Sequence, residues 1–424
     1  MRKNPVLCLV GLGYVGLPLA HAFAAKGYEV YGYDVSERRV KELQEGRDGT
    51  GEVEDEKLKS VTLHISSNPA VIGKADIVIV ALPTPVDDQN KPDITILKKG
   101  TETVGKHMKK GAIVVFESTV YPGTTEEICG QILEEASGMK CGGDFTLGYS
   151  PERINPGDRE HTVTKILKIV SGQDERTLQT LSDLYGDVIE AGIHPASSIR
   201  VAEMAKAIEN AQRDLNIAFI NEIAMLCGKI GIPTQEVLAA AKTKWNFLPF
   251  QPGLVGGHCI GVDPYYLVEK ARQLGMVTHV ITAGRGVNDG MGKYVAEGIV
   301  RALGNPKGAR VLVLGLTFKE NVPDTRNSKI KDVVATLKEK GCEVLVHDPF
   351  YSKEEIESMN GYKAGSLEDG PYDAVAYLVP HKQYVEMGTE AFVRLTKEGG
   401  VIYDLKGLLE KVTIEKTGRK YLAL

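Results

Sequence analysis

Cysteine, excess basic charge and long apolar runs are all scarce in this chain of 424 residues. The six cysteines are scattered without a CxxC pair, which argues against a disulfide framework and favours thiols in a reducing cytoplasm. The net charge of −5 argues against a nucleic-acid-binding surface. No run approaches the roughly 18 apolar residues of a membrane span, and the apolar N-terminal stretch is better explained by a first strand than by a signal peptide. The remaining composition, 42% apolar and 25% charged, is that of a soluble globular chain with two or three domains.

The first residues carry the pattern of a dinucleotide-binding turn. The apolar run Val6–Val10 predicts a strand, and the helix-forming residues from Leu17 onward predict a helix. The glycines between them let the backbone approach a pyrophosphate at the helix N-terminus. The alternative is a tight strand–helix turn without a ligand. The turn residues that we assign to a cofactor site are Gly11, Gly13, Tyr14, Val15 and Gly16.

The acid at the end of the second predicted strand indicates which dinucleotide would bind. The strand Glu29–Tyr33 is followed by Asp34, 18 residues after Gly16. Asp34 can accept hydrogen bonds from a ribose diol and would repel a 2′-phosphate, so NAD is favoured over NADP. Arg38 and Arg39 weaken this preference without reversing it, and we include Arg39 in the cofactor site.

Two further predicted strands, Asp76–Leu82 and Ala112–Glu117, each end in a polar loop. Parallel sheets bind ligands at the carboxyl ends of their strands, which makes Thr84, Glu117 and Thr119 candidate pocket residues. Turn formation and capping explain each of these residues equally well.

The C-terminal part repeats this arrangement. Lys340–Asp348 resembles Lys26–Asp34, and strands are predicted at Val311–Gly315, Tyr372–Val379 and Gly399–Asp404. The internal repeat predicts a second doubly wound unit. Its first turn lacks the second and third glycines, so we expect it to bind something other than a dinucleotide, or nothing. Lys319 and Arg326 would place cations where phosphates lie.

A helical block of about a hundred residues separates the two repeats. Ser197 to about Lys229 contains no proline and predicts one long helix. Its apolar stripe is expected to pack against a second subunit, and it comprises Ala205, Ile208, Leu215, Phe219 and Ile223. Three polar residues, Lys206, Asn210 and Arg213, share one helix face. They form either a solvated face or an amine and amide directed into a cleft, where a buried lysine can exchange protons with an alcohol.

Cys259 lies in the glycine-rich stretch Gly253–Leu267, where packing alone gives no reason for a thiol. A two-electron dehydrogenase of the β-hydroxyacid kind would need the lysine and no cysteine. A four-electron enzyme must oxidise an aldehyde, and a thiolate makes this possible through a thiohemiacetal and then a thioester. Cys259 favours the second class, an enzyme that takes a primary alcohol to a carboxylate, with Asp263 supporting the proton transfers from the same loop.

Two other interpretations remain open at this point. His258, Cys259 and Asp263 could hold a metal, although no second cluster with zinc spacing accompanies them, so no metal is expected. A nucleotide-sensing module could also carry two such halves, but it would not need Cys259, Lys206 and Asn210 together.

Six longer motifs extend over nearly the whole chain: GLGYVGLPLA at 11–20, ESTVYPGTTEE at 117–127, GYSPERINPGD at 148–158, IENAQRDLNIAFINE at 208–222, KWNFLPFQPGLVGGHCIGVDPYYL at 244–267 and FKENVPDTRNS at 318–328. With these motifs the chain resembles the UDP-glucose/GDP-mannose dehydrogenase family. Within it, the pattern is most similar to UDP-N-acetylhexosamine 6-dehydrogenases of surface-polysaccharide synthesis, in the Vi-antigen branch.

The resemblance implies a role for each matching residue. Cys259 is similar to the family's thiol nucleophile, and Lys206 with Asn210 resembles the pair that holds and protonates the sugar C6 oxygen, assisted by Asp263. Glu152 resembles the carboxylate that activates water, with Thr119 orienting it. The C-terminal domain is expected to bind UDP. The substrate contacts assigned with these are Arg153, Gly256 and Lys319, and the cofactor contacts include Thr84, Thr119 and Arg326.

The sequence therefore predicts an α/β chain with two Rossmann-like doubly wound parallel-sheet domains, joined by a long helix and a central helical dimerisation domain. The expected boundaries are 1–196 for the NAD-binding domain, 197–304 for the helical domain and 305–424 for the UDP-binding domain. The expected activity is NAD-dependent four-electron oxidation of a UDP-N-acetylhexosamine, best UDP-GlcNAc, in a cytoplasmic homodimer. UDP-GalNAc, UDP-ManNAc and UDP-glucose remain alternatives.

Overall fold

The computed structural model describes residues 4–87, 89–154, 163–257, 259–359 and 361–424. His258, part of the metal interpretation, and residues 155–158 of the GYSPERINPGD motif lie outside them. The chain forms two compact units, which are described separately: Met1–Glu209 with Tyr265–Val277, and Asn210–Pro264 with Thr278–Leu424.

The first unit contains an eight-stranded sheet with the order β3-β2-β1-β4-β5-β6-β7-β8. Strands β1 and β4 are buried along their whole length, as a sheet covered on both faces requires. All neighbours are parallel except β6 and β7, which are antiparallel, so the predicted parallel sheet has one exception. The strands are β1 Leu7–Val10, β2 Val30–Tyr33, β3 His64–Ser66, β4 Ile77–Val80, β5 Ile113–Phe116, β6 Thr146–Tyr149, β7 Lys168–Gly172 and β8 Ile193–Pro195.

Helices connect these strands and cover the sheet. A core of apolar side chains, centred on Leu7, Phe23 and Tyr185, fills the space beside the sheet. The helices are α1 Gly16–Ala25, α2 Glu37–Gln44, α3 Asp55–Lys59, α4 Thr95–His107, α5 Gly130–Ser137 and α6 Glu175–Gly186, with a 3₁₀ helix at Pro69–Lys74 and a π-helical turn at Thr124–Cys129.

The central part of the chain is helical, as predicted. Its helices are α7 Ile199–Ile230, α8 Thr234–Ala241, α9 Asp263–Gln273 and α10 His279–Leu303. On α7, Lys206 and Asn210 are buried whereas Arg213 is exposed, so the expected shared face does not extend to Arg213. In the expected apolar stripe, Ile208 and Phe219 are exposed by 50% and 58%. None of the described helices combines the length and apolar character that a bilayer crossing requires.

The second sheet is parallel throughout and has five strands, in the order β10-β9-β11-β12-β13. Its elements are β9 Arg310–Leu314, α11 Ile330–Glu339, β10 Glu343–His347, α12 Lys353–Ser358, β11 Tyr372–Tyr377, α13 Lys382–Met387, α14 Thr389–Leu395, β12 Thr396–Asp404, α15 Lys411–Glu415 and β13 Lys420–Ala423. The two Rossmann-like sheets and the helical region confirm the predicted fold class.

The first turn of each repeat is held by a corresponding hydrogen bond. The carboxylate of Asp34 accepts the backbone N–H of Leu12 at 2.9 Å, and Asp348 accepts that of Leu316 at 2.7 Å. Both acids follow the second strand of their repeat, and both amides belong to the turn after the first strand. The internal repeat therefore includes the hydrogen bond from a first-turn amide to the acid after the second strand.

Glu203 attaches the start of α7 to the segment after β5. Its carboxylate accepts the backbone N–H groups of Gly123 at 2.6 Å and Thr125 at 2.9 Å, at the beginning of the π-helical turn. Such amides at a helix start have no partner within the helix. Burial raises the pKa of Glu203 to about 7, although the two amides oppose this.

We predict that Glu203 makes the free energy of unfolding fall as pH rises. Its pKa in an unfolded chain is about 4.3, so the folded state binds more protons between that value and about 7. Relative to Glu203→Gln, wild type should lose on the order of 2–3 kcal/mol between pH 5 and pH 8. Urea unfolding of both proteins at the two pH values measures this.

Glu126→Gln, on the same turn but with a carboxylate that is 36% exposed, is the matched control. A difference between Glu203→Gln and wild type that is equal at both pH values would contradict the prediction.

Candidate active site

The glycine turn after β1 has the shape that a dinucleotide needs. Gly11 has φ +91°, and a Cβ there would lie 2.6 Å from the carbonyl oxygen of Ala81. A Cβ on Gly16 would lie 1.9 Å from the carbonyl oxygen of Gly11, whereas one on Gly13 would meet nothing within 4 Å. Gly11 and Gly16 therefore permit close packing, and Gly13 keeps the backbone accessible. Together with the start of α1, this turn fits a pyrophosphate.

Asp34 and Arg39 lie beside this turn. Besides the amide of Leu12, Asp34 accepts the backbone N–H of Ser36 at 2.9 Å. The guanidinium of Arg39 donates to the carbonyl oxygen of Leu12 at 3.0 Å and to Asp48 at 2.7 Å. Because Asp48 compensates the charge of Arg39, this arginine offers a 2′-phosphate little attraction, in keeping with the expected preference for NAD.

The predicted pocket residues Thr84 and Thr119 are brought together. The Thr84 hydroxyl donates to the carbonyl oxygen of Thr119 at 2.7 Å, joining the segments that follow β4 and β5. The Tyr266 hydroxyl donates to the carbonyl oxygen of Thr84 at 2.8 Å. These contacts lie at the carboxyl edge of the first sheet.

Glu152 and Glu117 share a buried lysine at the same edge. Lys168 Nζ lies 2.7 Å from Glu117 Oε2 and 3.0 Å from Glu152 Oε2, and all three side chains are buried. Tyr185 donates its hydroxyl to Glu117 at 2.5 Å. Burial raises the pKa of Glu117, and the charge of Lys168 opposes this. Burial also disfavours charge on Lys168, but the two carboxylates outweigh it and raise its pKa.

Arg153 is held by its neighbours in the first unit. Its guanidinium donates Nε to Glu209 Oε2 at 3.2 Å, pairs its NH2 group with Glu209 Oε1 at 2.7 Å, and donates NH1 to the carbonyl oxygen of Leu167 at 2.8 Å. The predicted role of Arg153 as a substrate contact would compete with this bidentate pair.

In the second unit, three of the predicted catalytic residues are brought together. Asn210 on α7 donates its side-chain amide to Asp263 at 2.6 Å, and both residues are buried. The carbonyl oxygen of Cys259 accepts the backbone N–H of Asp263 at 2.8 Å, so the cysteine turn leads directly into α9. Lys206 is buried one turn before Asn210 on α7. Among the described residues, no group of three or more His, Cys, Asp and Glu could hold a metal.

The glycines near Cys259 make room for the chain itself. A Cβ on Gly256 would lie 2.8 Å from the carbonyl oxygen of Asn327, and one on Gly257 would lie 2.8 Å from the Phe318 ring. The chain itself therefore fills the side of Gly256 and Gly257 on which a Cβ would lie. They allow the cysteine loop to pack against the segment that follows β9.

A buried asparagine holds the start of the cysteine loop. Asn221 Nδ2 donates to the Gly253 carbonyl oxygen at 3.0 Å, and the Gly253 N–H donates to Asn221 Oδ1 at 2.8 Å. Asn221 also donates to Asn288 at 2.8 Å, and Asn288 donates to Asp214 at 2.7 Å. Asp214 accepts from Arg285 at 2.5 Å, which completes a polar chain across α7 and α10.

In the second repeat, the chain closes the position that a ribose would take. His381 Nδ1 accepts the backbone N–H of Asn321 at 3.0 Å, so its proton lies on Nε2, which contacts Asp348 at 3.1 Å and Thr317 at 3.2 Å. The second turn is therefore filled by protein, in keeping with the expectation that it does not bind a dinucleotide.

The two predicted cations of this segment differ in their surroundings. Lys319, with Gly256 and Lys406, lines a cavity of about 90 Å³. Arg326 forms a bidentate pair with Asp324, at 2.9 Å from Nε to Oδ1 and 2.7 Å from NH2 to Oδ2. Lys319 thus faces a cavity within the second unit, whereas the charge of Arg326 is compensated.

Comparison with known proteins supports what this geometry suggests. Residues 6–189 match the NAD binding domain of the UDP-glucose/GDP-mannose dehydrogenase family, 200–290 its central domain and 312–411 its UDP binding domain. The chain belongs to this family. It is an NAD-dependent oxidoreductase of UDP-sugars.

Three similar proteins illustrate the relationship. The UDP-N-acetyl-D-glucosamine 6-dehydrogenase of Pseudomonas aeruginosa is 49% identical over 96% of this chain and 98% of its own length. The protein of that name from Salmonella typhi is 47% identical over 95% of this chain and 96% of its own. The structure of the UDP-D-ManNAc dehydrogenase from Pyrococcus horikoshii is 28% identical, with a TM-score of 0.86, and 98% of each chain is covered.

Some polar residues of this dehydrogenase were missed in the sequence. Lys168 stands within the run KILKIV, where a lysine between apolar residues of a strand is itself a signal for a buried pair. Asn221 lies within a recognised motif, but nothing in its spacing indicated that it would hold Gly253. Tyr185 and His381 carry no local signal, because their partners are distant in sequence.

We predict that Asn221→Ala destabilises the dehydrogenase and slows it. The change removes the side-chain partner of both backbone groups of Gly253, and each unpaired buried group costs about 1–3 kcal/mol. Urea unfolding should show a loss on the order of 3 kcal/mol, and kcat should fall while the KM for NAD stays near that of wild type.

Asn216→Ala is the matched control, because Asn216 is on the same helix and donates only to the carbonyl oxygen of Gln212 in an exposed contact. The account is wrong if the two alanine variants lose equal stability and activity.

Proposed function

We propose that this dehydrogenase oxidises the C6 hydroxyl of UDP-N-acetylglucosamine to the carboxylate, in two steps, through a thioester on Cys259. The contact of Asn210 with Asp263 carries the proposal, because it ties a buried amide next to Lys206 on α7 to the turn that contains Cys259. The overall reaction consumes one water and transfers two hydrides. The turn Gly11–Gly16 and Asp34 would hold NAD, and each of the two oxidations would reduce one NAD to NADH, so that two NAD are consumed per sugar.

In the first step, Lys206 and Asn210 hold the C6 oxygen. The lysine accepts the hydroxyl proton as hydride leaves C6, which gives the aldehyde. Asn210 orients the oxygen, and Asp263 fixes the asparagine amide through their hydrogen bond at 2.6 Å. Lys206 is 6% exposed and Asn210 7%, so solvent does not compete for these contacts.

In the second step, the Cys259 thiolate adds to the aldehyde carbon and forms a thiohemiacetal. Loss of hydride from that carbon gives the thioester. Glu152 then takes a proton from a water that attacks the carbonyl, with Thr119 orienting the water, and the thiolate is released with the carboxylate product. The remaining assignments extend this proposal: Arg153, Gly256 and Lys319 contact the UDP-sugar, and Tyr14, Val15, Arg39, Thr84 and Arg326 contact the cofactor.

The choice of UDP-GlcNAc is supported by the relatives. Two proteins with that substrate in their names are 49% and 47% identical to this chain, whereas the structure of a ManNAc enzyme is 28% identical. The epimers UDP-GalNAc and UDP-ManNAc, and UDP-glucose, are the alternatives. The product, an aminosugar acid, suits surface-polysaccharide synthesis in the cytoplasm.

The domain organisation and the oligomeric state belong to the same proposal. The three matched segments support domains at 1–196, 197–304 and 305–424. Exposed apolar side chains on α7, among them Ile208, Phe219 and Leu226, support a homodimer that covers this helix.

Cys259→Ala should abolish formation of the uronate, because no thioester can form. Cys259→Ser should stall at an ester or aldehyde-level species, since an alkoxide is a poorer leaving group than a thiolate. Product analysis by mass spectrometry measures both. Cys141→Ala, at another half-buried cysteine, is the control and should retain activity. Uronate from Cys259→Ala at the wild-type rate would refute the thioester.

A panel of the four UDP-sugars named above tests the substrate. We expect the highest kcat/KM with UDP-GlcNAc, by about tenfold or more, because a site that pairs with one hydroxyl penalises its epimer. Initial rates of NADH formation measure this. A higher kcat/KM with any of the other three sugars would overturn the choice.

A further inference from the structure

Three ionisable side chains meet in a buried site at the carboxyl edge of the first sheet. Glu117 and Lys168 are each 2% exposed and Glu152 is 9% exposed. If all three groups are ionised, they carry one positive and two negative charges, so the lysine leaves a single net negative charge. Two carboxylates this close without a cation could not both stay ionised.

The antiparallel strand β7 explains how the lysine arrives there. Tyr149 of β6 pairs with Ser171 of β7, and continuing that register places Glu152 opposite Lys168. Because β7 runs against β6, its first residue lies at the carboxyl end of β6. A parallel strand in this position would have placed its first residue at the other edge.

Glu152 is the acceptor in each of its described hydrogen bonds. Oε1 accepts the backbone N–H groups of Arg153 at 2.6 Å and Ile154 at 2.7 Å, and Oε2 accepts Lys168 Nζ at 3.0 Å. These contacts suit a carboxylate, not an acid, and they fix the plane of the group from both oxygens. Each carboxylate oxygen can accept two hydrogen bonds, so Oε2 can accept a water beside the lysine.

The lysine is itself held in place. Its Nζ also lies 5.5 Å from the centroid of the Tyr185 ring, and Tyr185 donates to the other oxygen of Glu117. Because Tyr185 and Lys168 both donate to Glu117, the position of the ammonium group is fixed. The hydrogen bond from Lys168 to Glu152 therefore has a defined geometry.

We propose that Lys168 is a positioning residue for thioester hydrolysis, which keeps Glu152 ionised and oriented toward the attacking water. This rests on the proposed function, in which Glu152 and Cys259 take part. In that step, water attacks the thioester carbonyl carbon and Glu152 accepts one of its protons. The carbon–sulfur bond breaks, its electron pair leaves with the Cys259 sulfur, and no oxidation occurs.

Lys168→Met should slow hydrolysis and spare the two oxidations. The experiment mixes each variant with NAD and UDP-GlcNAc, follows NADH by stopped flow, and measures the intact mass of the quenched enzyme. We expect a burst of two NADH per subunit, then a kcat about 100-fold lower, the usual effect of misplacing a reacting group by about 1 Å. The quenched enzyme should carry a sugar acyl adduct on Cys259.

Two further variants keep the test decisive. Lys168→Arg retains the charge and two donors and should recover much of kcat. Lys168→Met combined with Glu117→Gln restores the single net negative charge, so it should remain folded and still accumulate the adduct. Lys110→Met, an exposed lysine of the same unit, is the control and should behave as wild type.

The proposal is overturned if Lys168→Met keeps the wild-type kcat, or if the single and double variants both lose the burst and the steady state together without an adduct. Glu152→Gln separates this outcome from failure of the proposed function. It should accumulate the same adduct; if it turns over normally, the role of Glu152 is wrong, whatever Lys168→Met does.

Discussion

One buried ammonium group allows two carboxylates to occupy the carboxyl edge of the first sheet. Lys168 lies within hydrogen-bonding distance of both Glu117 and Glu152, and without it one of them would have to take a proton. The cost of burying this charge is offset by the two carboxylates, which are held in turn by two backbone N–H donors on Glu152 and by Tyr185 on Glu117. Glu152, the proposed base, thereby lies beside a cation and accepts two backbone N–H groups at a buried position.

The first turns of the two repeats share a backbone arrangement but differ in what lies beside them. In both repeats an acid after the second strand holds an amide of the first turn. In the first repeat Gly13 leaves that turn accessible to a dinucleotide. In the second, His381 and Asn321 fill the corresponding position with protein. The same backbone therefore supports a cofactor site in one sheet and a closed turn in the other.

Much of the fold followed from the sequence, because continuous apolar runs and glycine turns are local signals. The strand runs before Gly11 and Gly315 and the long helix α7 are examples. The antiparallel strand β7 was not predicted, since its direction depends on pairing with β6 and not on its own residues. That one reversal also explains why Lys168 was missed.

The candidate site was only partly predictable for a similar reason. Residues within long motifs, such as Cys259, Asn210 and Glu152, could be selected by resemblance. Their supports could not, because Asn221 holds Gly253 and Tyr185 holds Glu117 across long stretches of chain. The glycines near Cys259 are a similar case, because Phe318 and Asn327, which pack against Gly257 and Gly256, lie far along the chain.

The central claim is that this chain carries out two oxidations on one carbon. The most direct measurement is the amount of NADH formed per mole of UDP-GlcNAc when the sugar is limiting and consumed completely. The account predicts two NADH per sugar, with the uronate as the product. One NADH per sugar, with an aldehyde or ketone as the end product, would contradict it.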